Sequence, residues 1–179
     1  MRVIAGTFKG RRLEAPTWDG LRPTSDKLRE TLFNIMAARV GGARVLDGYA
    51  GTGAVGIEAL SRGAGHVTFV ETDPRAAALV EANLALCGVE RGYTIQRGDV
   101  ASVLRRLPAG AAFDLILLDP PYEVDAVTAL EAAASVLSPD GLVVLERATR
   151  REPEVPAALT RVRDVRSGDS TLTFMTRRR

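Results

Sequence analysis

From residue 43 onward the apolar positions follow two alternating periods. Short apolar runs at 44–46, 67–70, 93–96, 113–118 and 142–145 read as strands, the most continuous of them buried on both faces. Between them lie stretches with helical spacing at 54–61, 74–86, 100–107 and 124–137. Strand and helix taking turns in this way predicts an α/β fold built on a doubly wound, mostly parallel sheet. Two last runs, 160–165 and 171–176, are joined by Ser167-Gly168-Asp169-Ser170. So short a turn predicts an antiparallel pair at the sheet edge, which brings the sheet to seven strands.

The first 42 residues follow a different pattern. Residues 2–5 and 11–14 read as two short strands around a turn, and 15–23, with Pro16, Gly20 and Pro23, as loop. Thr24 or Ser25 then caps a helix, with an acid near the third position to complete a capping box. Leu28, Leu32, Ile35 and Met36 give that helix one apolar face, and Gly41-Gly42 ends it. The expected organisation is a basic hairpin-plus-helix appendage, 1–42, followed by one main domain, 43–179. There is no internal repeat.

Composition narrows the classes. A chain of 179 residues fits one domain, and its 46% apolar content is ordinary for a globular protein. No apolar run approaches the ~18 residues of a membrane span, and the N-terminus lacks the apolar core of a signal peptide, so a cytoplasmic protein is expected. The single cysteine, Cys87, excludes an internal disulfide and a cysteine-cluster zinc site; a buried place on a helix suits it. With His66 the only histidine, no metal site is expected. Net charge is only +2, but residues 1–39 carry eight Lys/Arg against four Asp/Glu, residues 40–146 seven against fourteen, and residues 147–179 nine against four. A basic margin around an acidic centre suits a polyanion docked beside a pocket for a small cation. Basic ends that are merely solvated fit the same counts.

The candidate chemistry sits where strands end. Leu115-Ile116-Leu117-Leu118 runs into Asp119-Pro120-Pro121-Tyr122. Prolines cannot continue a ladder, so the chain leaves the sheet at Asp119. There a carboxylate, a free carbonyl and an aromatic ring can grip a flat, amine-bearing group. Asp-Pro alone is a common turn starter. The segment Asp47-Gly48-Tyr49-Ala50-Gly51-Thr52-Gly53-Ala54-Val55-Gly56 follows the first sheet strand, and its glycines admit a ligand close to the backbone. It contains G-x-G-x-x-G, so a dinucleotide fold is the rival reading. Asp47 would repel a pyrophosphate but suits a cofactor with an ammonium and a sulfonium. Glu71, followed by Thr72, ends the second strand and can accept from ribose hydroxyls. Asp99, followed by Val100, ends the third and can accept from an adenine amine or simply cap a helix. Acids thus end four strands at one sheet edge.

Asp119-Pro120-Pro121-Tyr122 resembles the signature of S-adenosylmethionine-dependent methyltransferases that act on exocyclic amines of bases or on amide nitrogens. Asp47 to Gly53, Glu71, Asp99 and 119–122 resemble, in order, the motifs of Rossmann-like class I methyltransferases. Arg22-Pro23-Thr24-Ser25-Asp26-Lys27-Leu28-Arg29-Glu30, together with Gly56-Ile57-Glu58-Ala59-Leu60-Ser61-Arg62-Gly63-Ala64 and Gly168-Asp169-Ser170, resembles the bacterial 16S ribosomal RNA guanine-N2 methyltransferase family over essentially the whole chain. One departure is Gly48, where a larger apolar residue is expected, so the cofactor wall is expected to be looser there.

The resemblance implies S-adenosylmethionine as cofactor, held by Asp47, Tyr49, Gly51, Thr52, Gly53, Glu71, Thr72, Asp99 and Val100. It implies catalysis by Asp119, Pro120, Pro121 and Tyr122, and methylation of one guanine N2 amine in 16S ribosomal RNA carried by an assembled or nearly assembled small subunit. Lys9, Arg11, Arg12, Arg22, Thr24, Ser25, Lys27 and Arg29 are the candidates for RNA contact, and a monomer is expected. An adenine-N6 methyltransferase on DNA or RNA is the alternative enzyme. A cofactor-binding RNA chaperone without turnover and a nicotinamide dehydrogenase are the other classes; an intact 119–122 motif speaks against the first, and a missing hydride partner against the second.

Overall fold

The computed structural model describes residues 1–19, 24–108, 110–121 and 123–178. In chain order the elements are α1 (Asp26–Ile35), α2 (Ala37–Val40), β1 (Arg44–Gly48), α3 (Ala54–Ser61), β2 (His66–Glu71), α4 (Pro74–Leu86), β3 (Tyr93–Arg97), α5 (Val100–Arg105), β4 (Phe113–Leu118), α6 (Val127–Val136), β5 (Leu137–Ala148), β6 (Leu159–Ser167) and β7 (Ser170–Arg177). The seven strands form one sheet in the order β3-β2-β1-β4-β5-β7-β6. Pairings from β3 to β5 are parallel, and β7 runs antiparallel to both β5 and β6. This is the doubly wound arrangement that the alternating pattern predicts.

Successive side chains on a strand point to opposite faces, and each face carries its own core. Val45, Leu115, Leu117 and Val144 pack with Leu28 and Leu32 of α1, Ile57 of α3, and Val80 and Leu84 of α4. Leu46, Ile116, Leu118 and Val143 pack instead against Val103 and Leu104 of α5 and Leu130 of α6. Each fully buried Leu or Ile contributes about 1.5–3 kcal/mol. The strand order reverses direction between β1 and β4, so a crevice opens at the carboxyl ends of these strands, where sheets of this type take ligands.

Two expectations change. The fifth strand is far longer than the apolar run 142–145, because it starts at Leu137 directly after α6; Phe113 pairs with Leu137, and pairing resumes with Leu115 on Leu142 after an irregularity. The two expected strands at the N-terminus pair only around one antiparallel bridge, Arg2 with Arg12, with Val3 N donating to the Arg11 carbonyl at 2.9 Å and Leu13 N to the Met1 carbonyl at 3.1 Å. Side chains of α3 take the amides between: Ile4 N and Ala5 N donate to the Glu58 carboxylate at 2.8 and 3.0 Å, and Phe8 N to Ser61 Oγ at 2.9 Å. Gly6, with φ +84°, lies so close that a Cβ there would fall 1.8 Å from the Ser61 carbonyl oxygen. Val3, Leu13, Phe33, Met36 and Val40 share one core with the sheet. Ser25 caps α1, accepting from Leu28 N at 3.2 Å. Leu28 occupies the third helical position, so no capping box forms.

Candidate active site

The half of the crevice over β1 and β2 is built from backbone groups and two carboxylates. Asp47 is 4% exposed, and its Oδ2 accepts from Gly56 N at 2.8 Å. That bond draws the start of α3 onto the strand, and only glycine fits: a Cβ on Gly56 would meet the Phe69 ring at 2.2 Å. Burial pushes the Asp47 carboxyl up to about 8; the Gly56 amide opposes this, while the Asp119 and Glu71 charges add to it. Glu71 is held by the main chain on every side. Its Oε2 accepts from Gly51 N at 2.8 Å, and its Oε1 from Thr72 N at 2.8 Å, Asp73 N at 2.9 Å and Thr72 Oγ1 at 3.3 Å. Gly51 and Gly53 adopt φ +57° and +77°, the left-handed conformation that glycine accepts without strain. Tyr49 adopts φ +64° with a full side chain, a local strain of the kind that concentrates at functional sites. Its phenol is pushed up to about 12 by burial and by the Asp99 charge.

The other half lies over β4 and β5. Asp119 follows the last residue of β4, with its N–H donating to the Gly48 carbonyl at 3.4 Å. Thr24, 95 positions earlier, donates its hydroxyl to Asp119 Oδ2 at 3.3 Å. Pro120 is buried and Pro121 exposed, and the Pro121 carbonyl accepts from Val124 N at 2.9 Å to turn the chain towards α6. A cavity of about 330 Å³ opens beside the two prolines, walled also by Val124, Ala126, Leu145 and Glu146. Tyr122 and Arg22 lie outside the described residues.

Several expected site residues take other parts. Thr52 is 5% exposed; its hydroxyl accepts from Ala54 N at 3.4 Å and approaches Met1 Sδ at 3.8 Å, and its carbonyl accepts from Asn83, so it supports the loop from inside. Asp99 caps α5, accepting from Ser102 N at 2.9 Å, and Val100 is buried beneath Gly48. The wall at Gly48 is not loosened, since a Cβ there would lie 2.7 Å from Leu118 Cδ2: Leu118 fills the space. Arg29 leaves the RNA set. It is 0% exposed, donating to Asp26 Oδ1 at 2.9 Å and to the Arg2 carbonyl at 2.5 Å, with Glu58 4.0 Å away. A guanidinium so deeply placed pins the N-terminal segment and cannot reach a phosphate. Ser25 and Thr24 give their hydroxyls to the α1 cap and to Asp119. Lys9, Arg11, Arg12 and Lys27 are exposed.

Three residues escaped the pattern. Glu58 collects the N-terminal amides and Arg62 (2.7 Å). Asn83 is fully buried and joins three backbone groups: it accepts from Glu14 N at 2.7 Å and donates to the carbonyls of Glu14 (3.2 Å) and Thr52 (2.9 Å). Glu146 borders the target half. A polar residue at a helical core position was the available sign for Asn83 and Glu58, and an acid directly after the apolar run 142–145 was the sign for Glu146.

A seven-stranded sheet of this order, with a glycine loop after β1, an acid ending β2 and Asp-Pro-Pro after β4, defines a class I methyltransferase, whose methyl donor is S-adenosylmethionine. The residues present fit that cofactor: Asp47 and Glu71, two acids at adjoining strand ends, flank a glycine loop whose backbone a ligand can approach closely. The chain belongs to the family described as conserved hypothetical protein 95, whose model matches residues 1–176. Among its relatives, YlbH of Bacillus subtilis strain 168 is 40% identical over 163 residues, covering 87% of this chain and 86% of YlbH. Ribosomal RNA small subunit methyltransferase D of Haemophilus influenzae is 36% identical over 151 residues, covering 82% and 78%. The solved structure of Escherichia coli yhhF superposes with a TM-score of 0.85 at 31% identity, covering 99% of this chain and 97% of that one.

Proposed function

We propose that this protein methylates the exocyclic N2 amine of one guanine in 16S ribosomal RNA, within an assembled or nearly assembled small subunit in the cytoplasm. The observation that carries the reading is Asp119, set at the strand switch point beside the glycine loop, with its carboxylate steered by Thr24 and a cavity opening next to it. The relative named as a small-subunit ribosomal RNA methyltransferase supports the substrate class.

S-adenosylmethionine supplies a methyl group on a sulfonium centre, so the electrophile needs no further activation. What the chain must prepare is the nucleophile, since guanine's amine shares its lone pair with the ring. Asp119 accepts a hydrogen bond from one amine N–H, which returns electron density to the nitrogen, and stands ready for the proton shed once the new N–C bond forms. The Pro120 carbonyl is the second acceptor assigned to the amine. Holding the amine in line supplies roughly 7–11 kcal/mol of such a barrier in favourable cases. Tyr122 is assigned the stacking partner of a base turned out of the RNA. Asp47, the glycine loop and Glu71 are assigned the cofactor.

Lys9, Arg11, Arg12 and Lys27 are assigned to the RNA backbone. The turn at 6–10 rests on Ser61, the end of α3 remote from the glycine loop and about 10 Å along the helix. The test is incubation with methyl-labelled S-adenosylmethionine and small subunits lacking the modification, followed by nucleoside analysis. N2-methylguanosine is expected. N6-methyladenosine would transfer the reading to the adenine alternative, and unlabelled RNA would overturn it.

A further inference from the structure

Trp18, the only tryptophan of the chain, lies on the stretch that leaves the N-terminal segment, and three contacts fix where that stretch goes. Glu14 is tied to Asn83 of α4, its N–H donating at 2.7 Å and its carbonyl accepting at 3.2 Å. The Trp18 ring then lies over Arg75, with the guanidinium carbon 4.9 Å from the ring centroid, within the range of a cation–π contact. About 12 Å of helix separates Arg75 from Asn83, and the chain from 14 to 18 reaches about 13 Å, so it follows α4 to its first turn. That turn leaves the carboxyl end of β2, the edge where the crevice opens. Thr24, which donates to Asp119 at the end of β4, stands across β1 from it.

Arg75 is itself placed by the turn that holds Glu71. Its Nη2 donates to Asp73 Oδ2 at 2.7 Å, its Nε lies 3.2 Å from both Asp73 oxygens, and its backbone N–H donates to Oδ1 at 2.8 Å. The Asp73 N–H donates in turn to Glu71 Oε1 at 2.9 Å. Trp18, Arg75, Asp73 and Glu71 thus form one line from the N-terminal segment to a carboxylate assigned to the cofactor. Asp73 already neutralises Arg75, and both stay in contact with solvent, so the ion pair adds little stability by itself. What the contact does is keep a large flat ring, half-buried, beside the Glu71 turn.

We infer that Trp18 is a cofactor-site residue, closing the ribose side of the S-adenosylmethionine pocket, and that Arg75 is the positioning residue that holds it there. This rests on the assignment of Glu71 to the ribose hydroxyls. A ring at this place keeps water from the hydrogen bonds between those hydroxyls and Glu71, and such bonds strengthen as water is excluded. The ring swings aside when the cofactor is exchanged, so its hold on Arg75 sets how fast the cofactor leaves.

With a single tryptophan in the chain, tryptophan emission reports on Trp18 alone. Saturating S-adenosylmethionine should quench or shift it, and Arg75→Gln should move the emission of the cofactor-free protein to longer wavelength as the ring gains water. Chasing methyl-labelled S-adenosylmethionine with unlabelled cofactor gives the dissociation rate. Arg75→Gln should raise that rate about two- to fivefold, the worth of an exposed cation–π contact, with the melting temperature of the cofactor-free protein little changed. Trp18→Phe should keep the rate within about twofold of wild type, and Trp18→Ala should raise it at least about fivefold. Adding Arg75→Gln to Trp18→Ala should then alter it by less than about twofold, since the two residues act through one contact. Emission unmoved by cofactor, unchanged dissociation rates, or effects that simply add in the double variant would overturn the inference. If Trp18→Ala does not fold, Arg75→Gln and Trp18→Phe decide it by the same rates. Wild-type cofactor affinity in Glu71→Ala would instead mark failure of the ribose assignment.

Discussion

The two halves of the crevice hold their carboxylates by different means. Over β1 and β2, Asp47 and Glu71 accept from main-chain amides of adjoining loops, four such bonds between them. Over β4 and β5, Asp119 and Glu146 accept from the side-chain hydroxyls of Thr24 and Ser170, from segments 95 and 24 positions away. The first half is made by the loops that any chain of this topology must form. The second half is assembled from side chains that can change one at a time without disturbing a strand.

The comparison is broken most severely at Asp119. Asp119→Ala should cut turnover on the order of 10²–10⁴-fold, while calorimetric affinity for S-adenosylmethionine stays within a few-fold. A comparable loss of cofactor affinity would show that the halves are not separable. Next in size is Glu71→Ala, which strands the Gly51, Thr72 and Asp73 amides; each stranded buried group costs about 1–3 kcal/mol. Cofactor binding should weaken at least about tenfold and thermal stability should fall, with turnover at saturating cofactor largely retained.

Asp47 allows a pH test. Its carboxyl loses its proton near 8 in the folded chain against an ordinary 3.8. Because the folded state holds the extra proton, stability relative to Asp47→Asn declines as pH rises from about 4 to about 8 and then levels off. A cation bound nearby favours the carboxylate, so cofactor affinity should rise with pH towards 8, by up to tenfold per pH unit. The proton released should appear in calorimetry run in buffers of different ionisation enthalpy, and Asp47→Asn should flatten the profile. A flat wild-type profile would mean that the cation does not reach Asp47.

Thr24→Val should give the smallest effect, about fivefold in kcat with the KM for RNA little changed, since a single long hydrogen bond of 3.3 Å, of about 1 kcal/mol, is at stake. Thr24→Ser should restore the rate. A loss confined to RNA affinity would return Thr24 to the RNA-contacting set and leave Asp119 without this support.

The sequence disclosed the cofactor half and, across the crevice, the strand that ends in Asp119-Pro120-Pro121, but not the long-range contacts that steer the acids there, for a physical reason. Buried parallel strands read as continuous apolar runs, so Val45-Leu46-Asp47 and Phe69-Val70-Glu71 announce both the strand and the acid at its end. The glycine loop is equally local. Thr24 on Asp119, Ser170 on Glu146 and Asn83 on Glu14 and Thr52 are contacts between segments whose proximity the topology alone decides. Arg29 looked like a surface cation because helical spacing does not reveal that the N-terminal segment covers that face. Gly48 looked like a gap because the Leu118 side chain that fills it comes from another strand.

The N-terminal segment carries a kinetic consequence. Its amides at Ile4, Ala5, Phe8 and Glu14 end on the side chains of Glu58, Ser61 and Asn83 and not on a neighbouring strand. Segments tied in this way open as a cooperative unit, below the free energy of global unfolding. In hydrogen exchange these four amides should therefore trade their protons together, and earlier than those of β1 and β4. Asn83 also holds the Thr52 carbonyl, so each opening slackens the glycine loop at the same moment. Exchange at the Gly51 and Gly53 amides should therefore quicken in Asn83→Ala, which cuts that tie, by more than exchange at β4.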